Sequence, residues 1–448
     1  MLRILDQSDA AEAIAQLRDR LTLLEQESSG PSSELTRKVF GEALSPKEVV
    51  HRIVGDVARD GDDAVSEYTL KLDGAILTPD LFRIDPSVAL RAEKAADDAF
   101  LSAVRLAADN VREYQETIRI EEPPPLASEG RTLWRRYTPV QSAACYVPGG
   151  LAPYPSTVIM SVVPAQVAGV PRVVVVTPPR DGKEVDPLVL ATCSVLGVRE
   201  IYRIGGVQAI AAMALGTQTI RKVDKIVGPG NLFVMLAKKA VYGHVDIDMF
   251  AGPSEILVIA DGSANPDWVA ADLLSQAEHD EMASAILVTD SHRVAQRVDQ
   301  ALERQLPGLN RAETARAAIK RFGLAIVVPD LYAAADLANE IAPEHLEVQT
   351  ENPDEVAAQI RSAGAVFIGP WTPEAVGDYV AGPSHILPTG GTARFFSGLS
   401  ANSFLRATSY IKYDEDALRR EIQAIRALSQ AEGYDAHRRS AEKRRDGT

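Results

Sequence analysis

A mostly parallel α/β fold is predicted for this chain on three observations. From about residue 140 short apolar runs alternate with Gly/Pro loops and helical stretches, the pattern of successive βα units. The run Val173 to Val176 is continuously β-branched, as in a strand covered on both faces by helices. The 448 residues, 46% hydrophobic and 24% charged, suffice for two or three globular domains rather than one.

Residues 1 to about 115 read helical, with apolar positions at three and four spacing over Ala11 to Leu24, Glu48 to Val57 and Val88 to Tyr114. The SSGPSS run at 28–33 separates the first of these from the rest. Strands after Val173–Val176 are expected at Glu200–Ile204, Lys225–Val227, Glu255–Ala260, Ala285–Thr289, Leu324–Val328, His345–Val348 and Ala365–Ile368. Helices fill most of the intervals, among them Gln208–Leu215, Leu232–Val241, Pro266–Ala277 and Leu331–Ile341. From about 393 the chain leaves the βα series and includes a helix Asp416–Glu432. Such a tail must pack on something, and a partner subunit is one candidate.

A net charge of −15 argues against a protein that holds nucleic acid or anionic lipid, since either wants a basic face. The short basic runs, Arg135-Arg136 and the tail around Arg438-Arg439, read as solvated surface. Two cysteines, Cys145 and Cys193, lie among apolar neighbours and make no disulfide framework, which suits reduced thiols in a cytosol. The start turns acidic at once, and no stretch has the length of a signal-peptide core or a membrane span. A cytoplasmic location is expected.

Three times between 140 and 245 a strand runs into a small-residue turn and then a helix: CYVPGG at 145–150, IGGVQ at 204–208 and VGPGN at 227–231. In an open α/β sheet such turns lie where ligands bind, and glycines there let backbone approach a phosphate beside a helix N-terminus. Tyr146, Gln208 and Asn231 are the side chains these turns would present. No true G-x-G-x-x-G follows any strand, so a nucleotide site and plain tight turns both stay open on this pattern.

The chain has seven histidines, and four stand in the second half beside acids or amides: His279 with Gln276, His345 with Glu344, His385 with Asp378, and His437 with Glu432. On a helix Gln276 and His279 share a face. Zinc takes imidazole nitrogen and carboxylate oxygen while a catalytic site keeps positions open, so His279, Asp378 and His437 make a plausible ligand set, with Gln276 an unusual fourth. The plain alternatives are polar surface for Gln276 and His279, a turn cap for Asp378 and a frayed end for His437.

The segment IDMFAGPSEILVIAD to ADLLSQAEHD at 247–280 resembles the signature of the histidinol dehydrogenase family. YVPGG, GGVQAIAAMA, VGPGN, APEHLE, GDYVAGPSHILPTGGTARF and EGYDAH follow the family's order and spacing, so that the resemblance covers nearly everything beyond about residue 40. It implies a zinc- and NAD-dependent oxidation of L-histidinol, through L-histidinaldehyde, to L-histidine, the last two steps of histidine biosynthesis. It assigns Gln276, His279, Asp378 and His437 to one zinc per subunit, and Glu344 and His345 to acid/base work. Ser254, His345 and Glu432, with the metal ligands, would touch substrate, and Tyr146, Gln208 and Asn231 would touch NAD. His385 matches a family histidine near the site; a site role and structural hydrogen bonding both stay open.

The implied fold is two incomplete Rossmann-like parallel-sheet domains, one inserted into the other, with helical terminal extensions. Expected divisions are an N-terminal extension at 1–40, a catalytic unit from 41–140 and 255–394, an inserted NAD-binding unit at 141–254, and a tail at 395–448. The tail would reach the partner of a homodimer, placing Glu432 and His437 in the other chain's site. Adjacent residues face apart on a strand, so Glu344 and His345 serve one substrate only from a bend, which Pro343 makes credible. The rivals are a paralogous zinc/NAD dehydrogenase of another small alcohol such as a sulfonated diol, a binding protein with structural zinc, and a zinc hydrolase. Glu432, offering a carboxylate to a cationic amine, favours histidinol, and a closed structural zinc needs no spare acid and base.

Overall fold

The computed structural model describes residues 1–17, 31–149, 152–180, 184–250 and 252–445, without the side chains of 31–35 and 445. The expected first helix beyond residue 17, part of the SSGPSS break and Gly150 lie outside the described residues. Two parallel sheets organise the chain. The first runs Glu200–Tyr202, Arg172–Val176, Ser142–Tyr146, Lys225–Val227, Asp246–Ile247 from edge to edge. The second runs Arg3–Asp6, Gly323–Val327, Ser284–Thr289, Glu255–Ala260, His345–Gln349, Ala365–Ile368. In each, strand order reverses once, beside Ser142–Tyr146 in the first sheet and beside Glu255–Ala260 in the second, the doubly wound pattern that opens a crevice at the reversal.

Glu255–Ala260 and Ser284–Thr289 are buried at every residue, which explains their unbroken apolar runs. Helices Pro46–Asp60, Asp62–Asp73, Gly206–Leu215 and Leu232–Val241 cover one face of the first sheet through Ile53, Val65, Ile210 and Ile226. Helices Asp98–Ile118, Pro155–Ala168 and Pro187–Val195 cover the other through Val111, Val163, Val175 and Ile201. The expected grouping of 41–140 with 255–394 therefore meets a different packing, because residues 46–118 bury their apolar stripes on the first sheet. Helical spacing shows that a stripe exists and not which sheet will receive it.

Three local differences have local causes. Arg3–Asp6 is a strand, pairing with Gly323–Val327, where helix is expected; four residues are too few for a period to show. The expected helix Val88–Tyr114 is two, Pro86–Ala95 and Asp98–Ile118, because Asp97 accepts from the Ala99 and Phe100 amides and starts a new helix. Strand Leu405–Tyr413, read as plain tail, pairs antiparallel with Arg131–Pro139, which also carries Leu126–Ser128. This three-stranded arm leaves Ile411 and Leu126 exposed, and Trp134 stacks on Tyr410 at 4.9 Å. Helices Glu415–Ala431 and Asp435–Arg445 follow and pack against each other. Among the described residues no helix is long and apolar enough to cross a membrane.

Candidate active site

Four pieces of chain meet at the amino ends of the central strands of the second sheet. Helix Pro266–Ala277 ends with Gln276, fully buried, and the chain turns on to His279, whose amide donates to the Gln276 carbonyl at 3.1 Å. Strand His345–Gln349 puts Leu346 and Val348 into the apolar core on one face. Alternation then sends His345, Glu347 and Gln349, all buried, to the other. Helix Glu374–Tyr379 brings Glu374 and Asp378 onto one side, four residues apart. Ser254 stands immediately before strand Glu255–Ala260 at the same end.

The expected bend before the acid/base pair is a helix stop. Ala342 closes helix Leu331–Ile341 in the left-handed conformation at φ 54°, donating to the Ala338 carbonyl at 2.7 Å. Pro343 follows, and Glu344 lies outside the strand that His345 begins. Glu344 Oε2 accepts from the Glu255 amide at 3.0 Å and stands 3.8 Å from His345 Nδ1. Both side chains thus meet at one spot, as a continuous strand would forbid.

The His345 ring is oriented by acceptors. Nδ1 faces the Glu255 carbonyl at 3.1 Å, Glu374 Oε1 at 3.7 Å and Glu344 Oε2 at 3.8 Å. Three acceptors on one nitrogen assign the proton of the neutral ring to Nδ1. Nε2 has no hydrogen-bond partner among the described residues and stands 3.6 Å from Asp378 Oδ1. A cavity of about 140 Å³ is lined by His345, Asp378 and His385 with Val366, Phe367 and Val376. The Gln276 amide nitrogen belongs beside Glu374 Oε1 at 3.0 Å and the Glu255 carbonyl at 3.3 Å. It also lies 2.9 Å from His345 Nδ1, but its hydrogens go to the two oxygens because Nδ1 keeps its own.

Buried carboxylates outnumber cations here. Burial pushes Glu344 up to about 8, against the opposing pull of His345, and Glu374 up to about 7. Burial alone would lower His345, but Glu374, Glu344 and Asp378 outweigh it and raise the ring to about 10. Burial also lowers His279, although the residue keeps an exposed edge. Asp378 is held below its ordinary value: burial would raise it, and the neighbouring His345 and His385 outweigh that. Buried charge of this kind is stable when paired or when it holds a metal. Donor atoms of His279, Glu374 and Asp378 lie within 4.8 Å of one another. The imidazole and carboxylate donors with their surplus negative charge fit a zinc ion.

Gln276, His279, Glu344, His345 and Asp378 are therefore brought together, while Glu432 and His437 are not. Both are exposed on the tail, and His437 keeps the Tyr434 ring for company at 5.2 Å. His385 uses both ring nitrogens structurally, toward the Asp378 carbonyl at 3.0 Å and Thr157 Oγ1 at 3.3 Å. Glu374 was not anticipated; its spacing from Asp378 on a helix was the available signal. Nor were Glu347 and Asp272 behind it, where burial, with Asp272 next, raises Glu347 to about 9.

In the first sheet the three small-residue turns do lie at the carboxyl ends of strands. Tyr146 is buried, with its hydroxyl accepting from the Gly206 amide at 3.1 Å. Gln208 is buried too, donates to Asp73 Oδ2 at 3.1 Å, and its Oε1 has no partner among the described residues. Asn231 is exposed and caps helix Leu232–Val241 by accepting from the Val234 amide at 3.1 Å. The turns after Ser142–Tyr146 and Lys225–Val227 flank the reversal of strand order, the place where an open α/β sheet takes a dinucleotide. Segment 248–254 joins this edge to the amino end of strand Glu255–Ala260, a reach of roughly 25 Å at most.

Comparison with known proteins identifies the family. The family model described as histidinol dehydrogenase matches residues 38–445. The chain belongs to the histidinol dehydrogenase family. A histidinol dehydrogenase of Rhodopirellula baltica is 48% identical, over 97% of this chain and 94% of that protein. One from Bradyrhizobium diazoefficiens is 52% identical, over 87% of this chain and 90% of that protein. The crystal structure of histidinol dehydrogenase from Elizabethkingia anophelis superposes with a TM-score of 0.86 at 36% identity, covering 94% of this chain and 97% of that one. The family is one of NAD-dependent oxidoreductases.

Proposed function

We propose that this chain oxidises L-histidinol, through L-histidinaldehyde, to L-histidine, in a homodimer whose two sites are each completed by Glu432 and His437 of the partner subunit. The observation that carries the reaction is His345, buried among carboxylates with Nδ1 held and Nε2 without a hydrogen-bond partner among the described residues. Zinc held by Gln276, His279, Asp378 and the partner's His437 would orient the substrate's nitrogens, and NAD at the Tyr146, Gln208 and Asn231 turns would take up each hydride.

The first oxidation breaks the O–H and C–H bonds of the alcohol, and His345 Nε2 accepts the hydroxyl proton. As water adds across the aldehyde, His345 returns its proton to the carbonyl oxygen, giving a hydrate whose second oxidation again releases a hydroxyl proton to His345. Glu344, poised near neutrality by burial, takes the proton from the attacking water. His345 can serve as a base only when the carboxylate charge around it is countered, which is the electrostatic reason for a cation at this spot. Ser254, immediately before strand Glu255–Ala260, would bond the substrate.

The dimer reading rests on the tail. His437 stands outside the cluster formed by His279, Glu374 and Asp378, and the arm that leads to it leaves Ile411 and Leu126 exposed. Helix Asp435–Arg445 carries Arg438, Arg439, Lys443 and Arg444, which suits an approach to an acidic site. The cytoplasmic setting, consistent with the free buried Cys145 and Cys193, belongs to the same proposal. The test is NADH formation by purified enzyme with histidinol, at two NADH per histidine released. No NADH with histidinol, but turnover of a sulfonated diol, would overturn the substrate in favour of a paralogous dehydrogenase.

A further inference from the structure

The turn that carries Asn231 is gripped from behind by a buried ion pair. Lys238, on helix Leu232–Val241, and Asp248, just past strand Asp246–Ile247, face each other with side chains only 3% and 1% exposed. Asp248 Oδ2 accepts the Gly228 amide at 2.7 Å, and Lys238 Nζ donates to the Gly228 carbonyl at 3.0 Å. Both polar backbone groups of one glycine are thus held by opposite ends of one pair. Gly228 has φ +117°, and a Cβ there would stand 2.1 Å from the Tyr146 carbonyl oxygen. The turn is therefore pressed against the end of strand Ser142–Tyr146, across the reversal of strand order. Asp248 Oδ1 also accepts the Met249 amide at 2.7 Å, which fixes the start of the segment that runs on to Ser254.

Taking two charges out of water is costly, and an apolar pair of similar volume often holds a fold as well or better. The directional bonds to Gly228 are what such a replacement would lose. We propose that Lys238 and Asp248 are positioning residues for the dinucleotide: they hold the 228–231 turn in the shape that presents its backbone and Asn231 to the crevice. The proposal rests on reading this crevice as the NAD site.

The full-length double variant Lys238→Met/Asp248→Leu removes both charges together and both bonds to Gly228. Its thermal midpoint, zinc content and histidinol affinity should stay near wild type. Its Kd for NADH, measured by titration calorimetry, should rise on the order of tenfold to a hundredfold, with the kinetic loss falling on KM for NAD rather than on kcat. Unchanged NADH affinity in the folded variant would overturn the proposal. So would a parallel loss of histidinol affinity and kcat, which marks general damage. Should the double variant not fold, Asp248→Asn, which keeps the shape and one acceptor oxygen, should still weaken NADH binding, and no weakening overturns the idea equally. Asn231→Ala checks the underlying reading: if it leaves NADH affinity intact, this turn is not the dinucleotide site and the proposal falls with that reading, whatever the double variant does.

Discussion

His345 and Glu344 are neighbours in sequence but face different tasks, and that difference can be measured. His345→Asn should depress both oxidations by about two to four orders of magnitude, since each releases a proton that Nε2 would take. Glu344→Gln should mainly slow the conversion of aldehyde to acid, the step that consumes water. Supplying histidinol and histidinaldehyde separately gives the comparison, and equal losses on both substrates for Glu344→Gln would remove the reason for linking it to water. Glu374 acts through its neighbours: it accepts from the Ser275 hydroxyl at 3.0 Å, and its amide is held by Glu347 Oε1 at 2.8 Å. Because it orients the Gln276 amide and its carboxylate lies with the His279 and Asp378 donors, Glu374→Ala should weaken zinc binding by about tenfold to a hundredfold or more. Chelator competition on the purified variant checks this, and wild-type zinc affinity would refute it. Legibility at this scale followed scarcity. Seven histidines in 448 residues make each one conspicuous, whereas Glu374 is one glutamate among many and is distinguished only by its burial.

Among the elements, the helix ending at Asp73 meets the helix that begins at Gly206, and a half-buried acid, Asp73, lies where they meet. Burial raises Asp73 to about 6, and the bond from Gln208 offsets only part of this. The folded pKa thus lies above the unfolded value of about 3.9, so the folded state holds this proton more tightly. Its contribution to stability is fully present below about pH 4 and is lost as pH rises through about 6. Asp73→Asn keeps a neutral group there at every pH. Its thermal midpoint relative to wild type should therefore climb between pH 4 and pH 7 and then level off, whereas a constant difference would show that Asp73 is not strained by burial. Strands and helices of the βα series were legible because burial on both faces forces apolar runs, as in Glu255–Ala260. Arg3–Asp6 and the arm strand Leu405–Tyr413 were not, since the first is too short for a period and the second is mostly exposed on both faces.

For the molecule as a whole, the separation of His437 from His279 and Asp378 within one chain is the feature with most consequence. Take Asp378→Ala in one chain and His437→Ala in another, each inactive as a homodimer, and refold them together. A mixed dimer has one site with both defects and one with intact Asp378 and a partner's intact His437. Random pairing makes about half the dimers mixed, so about a quarter of wild-type activity should return under two-fold symmetry. A mixture that stays inactive although mass measurement confirms mixed dimers would show that His437 serves its own chain.

What the residues determined unaided was the βα series, the three turns, the histidine pairs and the family, because each depends on spacing along the chain. Spacing is preserved whatever the chain packs against. Only the tertiary structure decided that helices between 46 and 118 cover the first sheet, that Glu374 joins His279 and Asp378, and that Glu344 and His345 meet at the amino end of strand His345–Gln349. It also decided that Lys238 and Asp248 close on Gly228 and that His437 stays outside the cluster of His279, Glu374 and Asp378. All of these are distances between residues far apart in sequence, chosen by which apolar faces fit and which buried charges find partners. No local pattern contains that information.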